Sequence, residues 1–352
     1  MLRTLAIILL CLPAGCGTLD YYSQSIAGGV HLLEQRTPVS AVIADPKTPD
    51  HVRSKLQVVA RILDFAHTEL GLPDNGSYDT YADTGRQYVV WNVFVAPPLS
   101  VQPVQSCFLF VGCLAYRGFF DRERALKYSD KMARAGMDVY LGGVSAYSTL
   151  GWFADPVLNT MIDRPDYDIA RVIFHELSHQ KLYFRNDTDF NEAFADAVAF
   201  IGVNRWLRSQ HAAALERFND ENLQEARFTN LVLSYRQRLK TLYASAAGNG
   251  EKLARKQQLM DEMLRDYHRM REQGLLDAGY DQFMSAGVNN ARLASIATYR
   301  ELVPGFLRVY ALAGDDLQSF YARVAALQRC SMQARRQTLE QSDGTLTCAG
   351  SG

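Results

Sequence analysis

What this chain of 352 residues lacks narrows its chemistry early. Its longest apolar stretch, Leu5 to Leu12, falls far short of the roughly 20 residues that a membrane-spanning helix needs. The formal net charge is -1, which argues against a protein that holds nucleic acid by neutralising phosphates, so no nucleic-acid partner is expected. None of the six cysteines forms a C-x-x-C pair, which argues against a cysteine-bound zinc. Gly143-Val144-Ser145-Ala146-Tyr147 lacks the second glycine of a nucleophile elbow, so a serine hydrolase of that type is a poor fit. No internal repeat appears.

What is present centres on His175-Glu176-Leu177-Ser178-His179. Histidines four residues apart on a helix point the same way, and two neutral imidazoles so aligned can grip one Zn²⁺. Glu176 projects about 100° around the helix from His175, near enough to act as general base toward a water that the metal acidifies. Asp168 to Phe174 leads in with an acidic N-cap candidate and a mostly apolar approach, so the helix reads as largely buried. The plain alternative is two core histidines hydrogen-bonded to their neighbours.

A turn-forming cluster, Asn186-Asp187-Thr188-Asp189, separates this helix from a second apolar one running from Phe190 through Phe200. Two helices joined so tightly lie antiparallel, which turns Glu192 toward the histidines as third ligand. Asp196, one turn on, is placed to accept the free ring N–H of a ligating histidine. Asp189 followed by Glu192 also spells a capping box, which would spend that carboxylate on a backbone N–H. A calcium loop is excluded because its sixth position holds Glu192 instead of glycine.

HELSH followed by NEAFAD resembles the gluzincin metallopeptidases. That resemblance implies His175, His179 and Glu192 as zinc ligands, Glu176 as general base and Asp196 as the residue orienting a zinc histidine. Twelve residues separate His179 from Glu192, fewer than in the best-known gluzincins, so the connection is trimmed. The chain is more closely similar to a group of bacterial lipoproteins called predicted aminopeptidases. The matching segments are Ala146 to Phe153, Asn289-Asn290-Ala291 and Thr298-Tyr299, and the similarity runs over most of the mature chain. It implies a zincin-like α+β fold with a small β-sheet lobe before a mainly helical lobe and the active-site helix between them. It also implies a zinc peptidase, an aminopeptidase, acting on peptide substrates with one Zn²⁺ per chain. The competing reading is a catalytically silent zinc-binding envelope lipoprotein that serves as a binding or assembly module. Glu176 counts against it, since a purely structural zinc site has no use for that carboxylate.

Arg3 and the apolar run after it read as a secretory signal, residues 1–15. Cleavage before Cys16 resembles bacterial lipoprotein processing, with Cys16 acylated and the enzyme tethered by lipid in the cell envelope; Gly17 favours the periplasmic face of the outer membrane in a Gram-negative host. Ordinary signal cleavage near the same point is the alternative. Cys107, Cys113, Cys330 and Cys348 remain, and oxidised export favours two disulfides. Three pairings are open; Cys107 with Cys113 and Cys330 with Cys348 close the shortest loops.

The expected division is 1–15 signal, 16–48 anchored segment, 49–330 peptidase domain and 331–352 tail. Helices are expected over Tyr21–Glu34, His51–Leu70, Arg122–Ala135, Leu207–Ala244, Lys252–Gln273, Ala291–Leu302 and Asp316–Cys330. A hairpin is expected to join Tyr78–Tyr81 to Gln87–Val95 around Asp83-Thr84-Gly85, with further strands over Cys107–Phe120 and Asp138–Ser148. Tyr140–Tyr147 or Cys113–Gly118 would offer the edge along which a substrate backbone adds as a strand. Tyr299 and Tyr147 are the oxyanion-donor candidates, each also readable as a core tyrosine. Asn289 and Asn290 would bind substrate or cap the helix that follows.

Overall fold

Val90–Ala96 is the strand around which the sheet lobe is built, and its residues alternate as a two-faced strand should. Val93 and Val95 pack with Phe119 and Ala125 against the helix Arg122–Arg134, while Phe94 and Ala96 turn the other way, onto Ala115 and Ala291. The strand lies between Arg117–Phe119 and Asp138–Val144, antiparallel to both, so each of those two is a sheet edge. The computed structural model describes residues 16–108, 112–146, 154–210 and 212–340. It is an α+β protein with small sheets and a predominance of helix.

The expected hairpin from Tyr78–Tyr81 to Gln87–Val95 does not form. Thr80–Ala82 pairs instead with Thr37–Pro38 and, in parallel, with Val157–Leu158. Asn159 explains the divergence. Its Oδ1 accepts from the Thr84 backbone N–H at 2.9 Å and from the Thr84 hydroxyl at 2.8 Å, and its Nδ2 donates to the Arg86 carbonyl at 3.2 Å. The connection's polar backbone is thereby satisfied by a side chain from elsewhere, and the two arms leave for different sheets. Cys107–Phe120 likewise divides: Ser106–Phe108 and Gly112–Leu114 form a separate hairpin, and Arg117–Phe119 joins the central strand.

Two long helices carry the centre of the molecule. The motif helix, Asp166–Lys181, buries Ile169, Ala170, Ile173, Phe174 and Leu177. It starts two residues before Asp168, with Pro165 at the N-cap, so Asp168 sits in the first turn, where its charge suits the helix dipole, and caps nothing. The partner helix, Thr188–Gln210, packs along it. Between them Asn191 closes the loop: its Oδ1 accepts from the Phe184 N–H at 2.8 Å and its Nδ2 donates to the Phe184 carbonyl at 2.7 Å. Asn186 takes the left-handed turn conformation, φ 67°, that asparagine tolerates.

The described residues of the expected helix Leu207–Ala244 are helical, in Thr188–Gln210 and in Ala212–Ala244. The latter and Asn249–Glu272 enclose a second core around Val232, Leu239, Met263 and Tyr267. Asn290–Arg300 follows, then an unforeseen helix, Val303–Leu312, and then Leu317–Ala326. Within the segment set apart as a tail, Met332–Glu340 forms a helix that buries Leu339 in the main core. No helix among the described residues is long and apolar enough to cross a membrane.

Candidate metal centre

The tight loop brings three ligand-type atoms to one point. His179 Nε2 lies 3.1 Å from His175 Nε2, which lies 3.2 Å from Glu192 Oε2; His179 Nε2 and Glu192 Oε2 are 3.7 Å apart. Zinc bonds of roughly 2.0–2.1 Å at tetrahedral angles set ligand atoms about 3.3 Å apart, so this triangle has the size of one face of such a site. His179 and Glu192 are 6% and 8% exposed, too buried to rely on water for neutralisation. Two imidazoles and a carboxylate form a donor set that suits zinc among the divalent metals. Glu192 is therefore directed at the histidines, and the capping-box alternative for it falls away.

Electrostatics follow from the crowding. Burial pulls the His175 pKa down, but hydrogen bonds to Asp196 and Glu192 outweigh it and raise the value to about 10. Burial pushes Glu192 up, and the two histidines more than reverse this, lowering it to about 2. Without a metal, then, a proton on His175 holds the cluster together.

Asp196 Oδ1 takes the other ring nitrogen of His175, Nδ1, at 3.0 Å. Its second oxygen pairs with Arg300 Nη1 at 3.2 Å, and Arg300 also pairs with Glu225, whose remaining oxygen pairs with Arg171 at 2.9 Å. Burial raises the Asp196 pKa, but Arg300 and His175 together hold it well below the usual carboxylate range. Arg171 and Arg300 are the members of this network that sequence reasoning missed. They stand 129 positions apart, a separation that no local pattern can bridge.

The charge of Glu176 is felt by three tyrosines. Tyr299 and Tyr116 are half-buried and within hydrogen-bonding reach of each other, and both feel Glu192 and Glu176 as charges that raise their pKa on top of burial. Tyr78 is affected by Glu176 in the same way. Tyr299 was a candidate from the sequence, while Tyr116 and Tyr78 were not foreseen. Tyr147 and Cys348 lie outside the described residues, as do residues 1–15. Asn290 does not serve a substrate: it is fully buried, accepts from Tyr243 Oη at 2.9 Å and donates to the carbonyls of Pro97 and Pro98 at 3.1 and 3.0 Å. Asn289 is the cap, accepting from the Arg292 N–H at 2.9 Å.

The Cys107–Cys113 disulfide is formed. Its hairpin is docked on the loop between the two central helices, where the Cys113 N–H donates to Asn186 Oδ1 at 2.9 Å and the Thr188 hydroxyl to the Cys113 carbonyl at 3.2 Å. Tyr116 follows three residues later, so the staple and the site share a support.

A family model described as "Putative aminopeptidase" matches residues 20–339. No curated protein and no solved structure matches the chain.

Proposed function

The chain belongs to the putative aminopeptidase family, and from that premise we propose that it is a zinc-dependent peptidase of zincin-like fold that removes residues from peptide N-termini. The observation that carries the zinc is the convergence of His175, His179 and Glu192 within one ligand-sized triangle, with Glu176 on the adjoining helix face. The N-terminal preference rests on the family's description alone.

Zinc bound there would supply Lewis acidity, acidifying water and polarising the scissile carbonyl. Glu176 takes the proton from the attacking water and delivers it to the departing amine nitrogen as the C–N bond breaks. Tyr299, with Tyr116 hydrogen-bonded to it, supplies the O–H donor for the oxygen that becomes negative during attack. Asp196 keeps His175 Nδ1 protonated, so that Nε2 is the free ligand nitrogen.

The setting proposed is the bacterial cell envelope, periplasmic side, with Cys16 acylated; the signal-like run Leu5 to Leu12 and the position of Cys16 support it. Palmitate labelling that disappears in Cys16→Ser would support the tether, and labelling retained in that variant would overturn it. For the chemistry, a library of peptides and amino-acid amides is incubated with the wild type and with Glu176→Gln. Cleavage at free N-termini that is lost in Glu176→Gln is the expected result; undiminished cleavage by that variant would remove Glu176 from the mechanism. Elemental analysis should give one zinc per chain, lost in His175→Ala.

A further inference from the structure

Three features meet at Tyr78. Its backbone lies at φ 69°, a region that bulky L residues avoid and that stores strain. Its ring is 1% exposed, and its hydroxyl has no hydrogen-bond partner among the described residues, an expensive state for a buried polar group. Of the charges acting on that phenol, Glu176 has the larger effect and Asp155 the smaller.

The loop that bears Tyr78 is pinned against the same face of the motif helix. Asn75 Nδ2 donates to Gln180 Oε1 at 2.8 Å, Gln180 Nε2 donates to the Ser77 hydroxyl at 3.3 Å, and the Tyr78 N–H donates to the Asp155 carbonyl at 2.6 Å. Gln180 stands one turn beyond Glu176, on the same side of the helix. The phenol is therefore fixed, while the half-buried Glu176 side chain has three torsions with which to reach it.

Folding alone does not explain this residue. Glycine would take the positive φ without strain, and phenylalanine would fill the volume without an orphaned hydroxyl. What remains is a use for the O–H beside Glu176.

We propose that Tyr78 positions Glu176 in the substrate-bound enzyme: the phenol donates to one carboxylate oxygen and leaves the other turned to the attacking water. The inference rests on Glu176 being the general base. No proton changes owner in this contact, so Tyr78 is a positioning residue and acts only through Glu176.

The test is Tyr78→Phe, alone and combined with Glu176→Gln, on the full zinc-loaded chain. The expected result is kcat lower by about 10- to 100-fold with KM within about twofold. Zinc content should be unchanged, the unfolding midpoint no lower than wild type, and the effect absent in the Glu176→Gln background. An unchanged kcat, an equal loss in both backgrounds, or a lowered midpoint would overturn the proposal. A readout free of turnover is the affinity for a peptidyl hydroxamate, expected to weaken about tenfold in Tyr78→Phe and not further in the double variant. A chain that holds no zinc sinks the peptidase reading, and this one with it. A chain that holds zinc and binds the hydroxamate equally with tyrosine or phenylalanine at position 78 sinks only the role given to Tyr78.

Discussion

Asp196 and Arg300 form an ion pair of 3.2 Å directly behind His175 of the candidate metal centre. The carboxylate is 7% exposed, so its charge is set by that guanidinium and by the His175 ring, with little help from water. The pair joins the partner helix to the helix that also carries Tyr299, so the candidate metal cluster and that tyrosine are braced by one contact.

The first prediction follows from this relationship. Asp196→Asn keeps the shape but weakens the hold on His175 Nδ1, and zinc affinity should fall by about 10- to 100-fold, as for other partners of metal-bound histidines. Arg300→Ala should fall in the same direction by less, with Arg300→Lys recovering part of the loss because the charge is kept and the second contact to Glu225 is not. Competition against a fluorescent chelator measures all three, and equal affinities for wild type and Asp196→Asn would refute the assigned role.

The second concerns pH. His175 is raised from 6.5 to about 10, so the stability it contributes in the metal-free protein is fully present below pH 6.5 and is lost as pH rises through about 10. Glu192 is lowered from 4.5 to about 2, so its contribution is present above pH 4.5 and is lost as pH falls through about 2. Metal-free protein should therefore resist urea best between these limits, at pH 4.5 to 6.5. Zinc must displace the His175 proton, so its apparent affinity should rise about tenfold per pH unit between roughly 7 and 9. Calorimetry at pH 7 in two buffers of different ionisation heat should report about one proton released per zinc; none released would mean that His175 is already neutral.

The third prediction is a stability change without a metal change. The Cys107–Cys113 bridge closes a short loop, so replacing both cysteines with serine should cost about 2 kcal/mol by loss of the constraint on the unfolded chain. Because Asn186 and Thr188 still receive the hairpin backbone, zinc stoichiometry should be unaffected. Urea unfolding beside metal analysis separates the two effects, and a loss of zinc in the double variant would show that the staple itself shapes the site.

What could be read from the sequence, and what could not, divides by chain distance. His175, Glu176, His179, Glu192 and Asp196 fall within 22 residues, where helical periodicity and one tight loop fix who faces whom. Tyr78, Tyr116 and Arg300 reach the same place from other elements, and no periodicity relates them to the motif. Asn290 misled because an asparagine opening a helix resembles a cap or a ligand, while its actual duty is to satisfy the carbonyls of Pro97 and Pro98, 193 and 192 positions away. The false hairpin at Asp83-Thr84-Gly85 had every local turn signal. It lost to Asn159, a distant side chain that offered the backbone better partners.

The last prediction tests how closely the two central helices must approach. Gly202 lies on the partner helix, and a Cβ added there would come within 2.7 Å of both Leu70 Cδ1 and Phe174 Cδ2. Neither neighbour can yield easily: Phe174 is fully buried and in contact with Phe65 at a ring distance of 6.1 Å, and Leu70 is 1% exposed. Gly202→Ala should therefore destabilise by about 1–3 kcal/mol, outweighing the better helix propensity of alanine. Phe174 immediately precedes His175, so any outward shift also moves a ligand. The variant should show a lower unfolding midpoint together with weaker zinc retention under chelator challenge. A midpoint at or above wild type would mean that the helices have room at this crossing and that the small residue is not what allows Glu192 to meet the histidines.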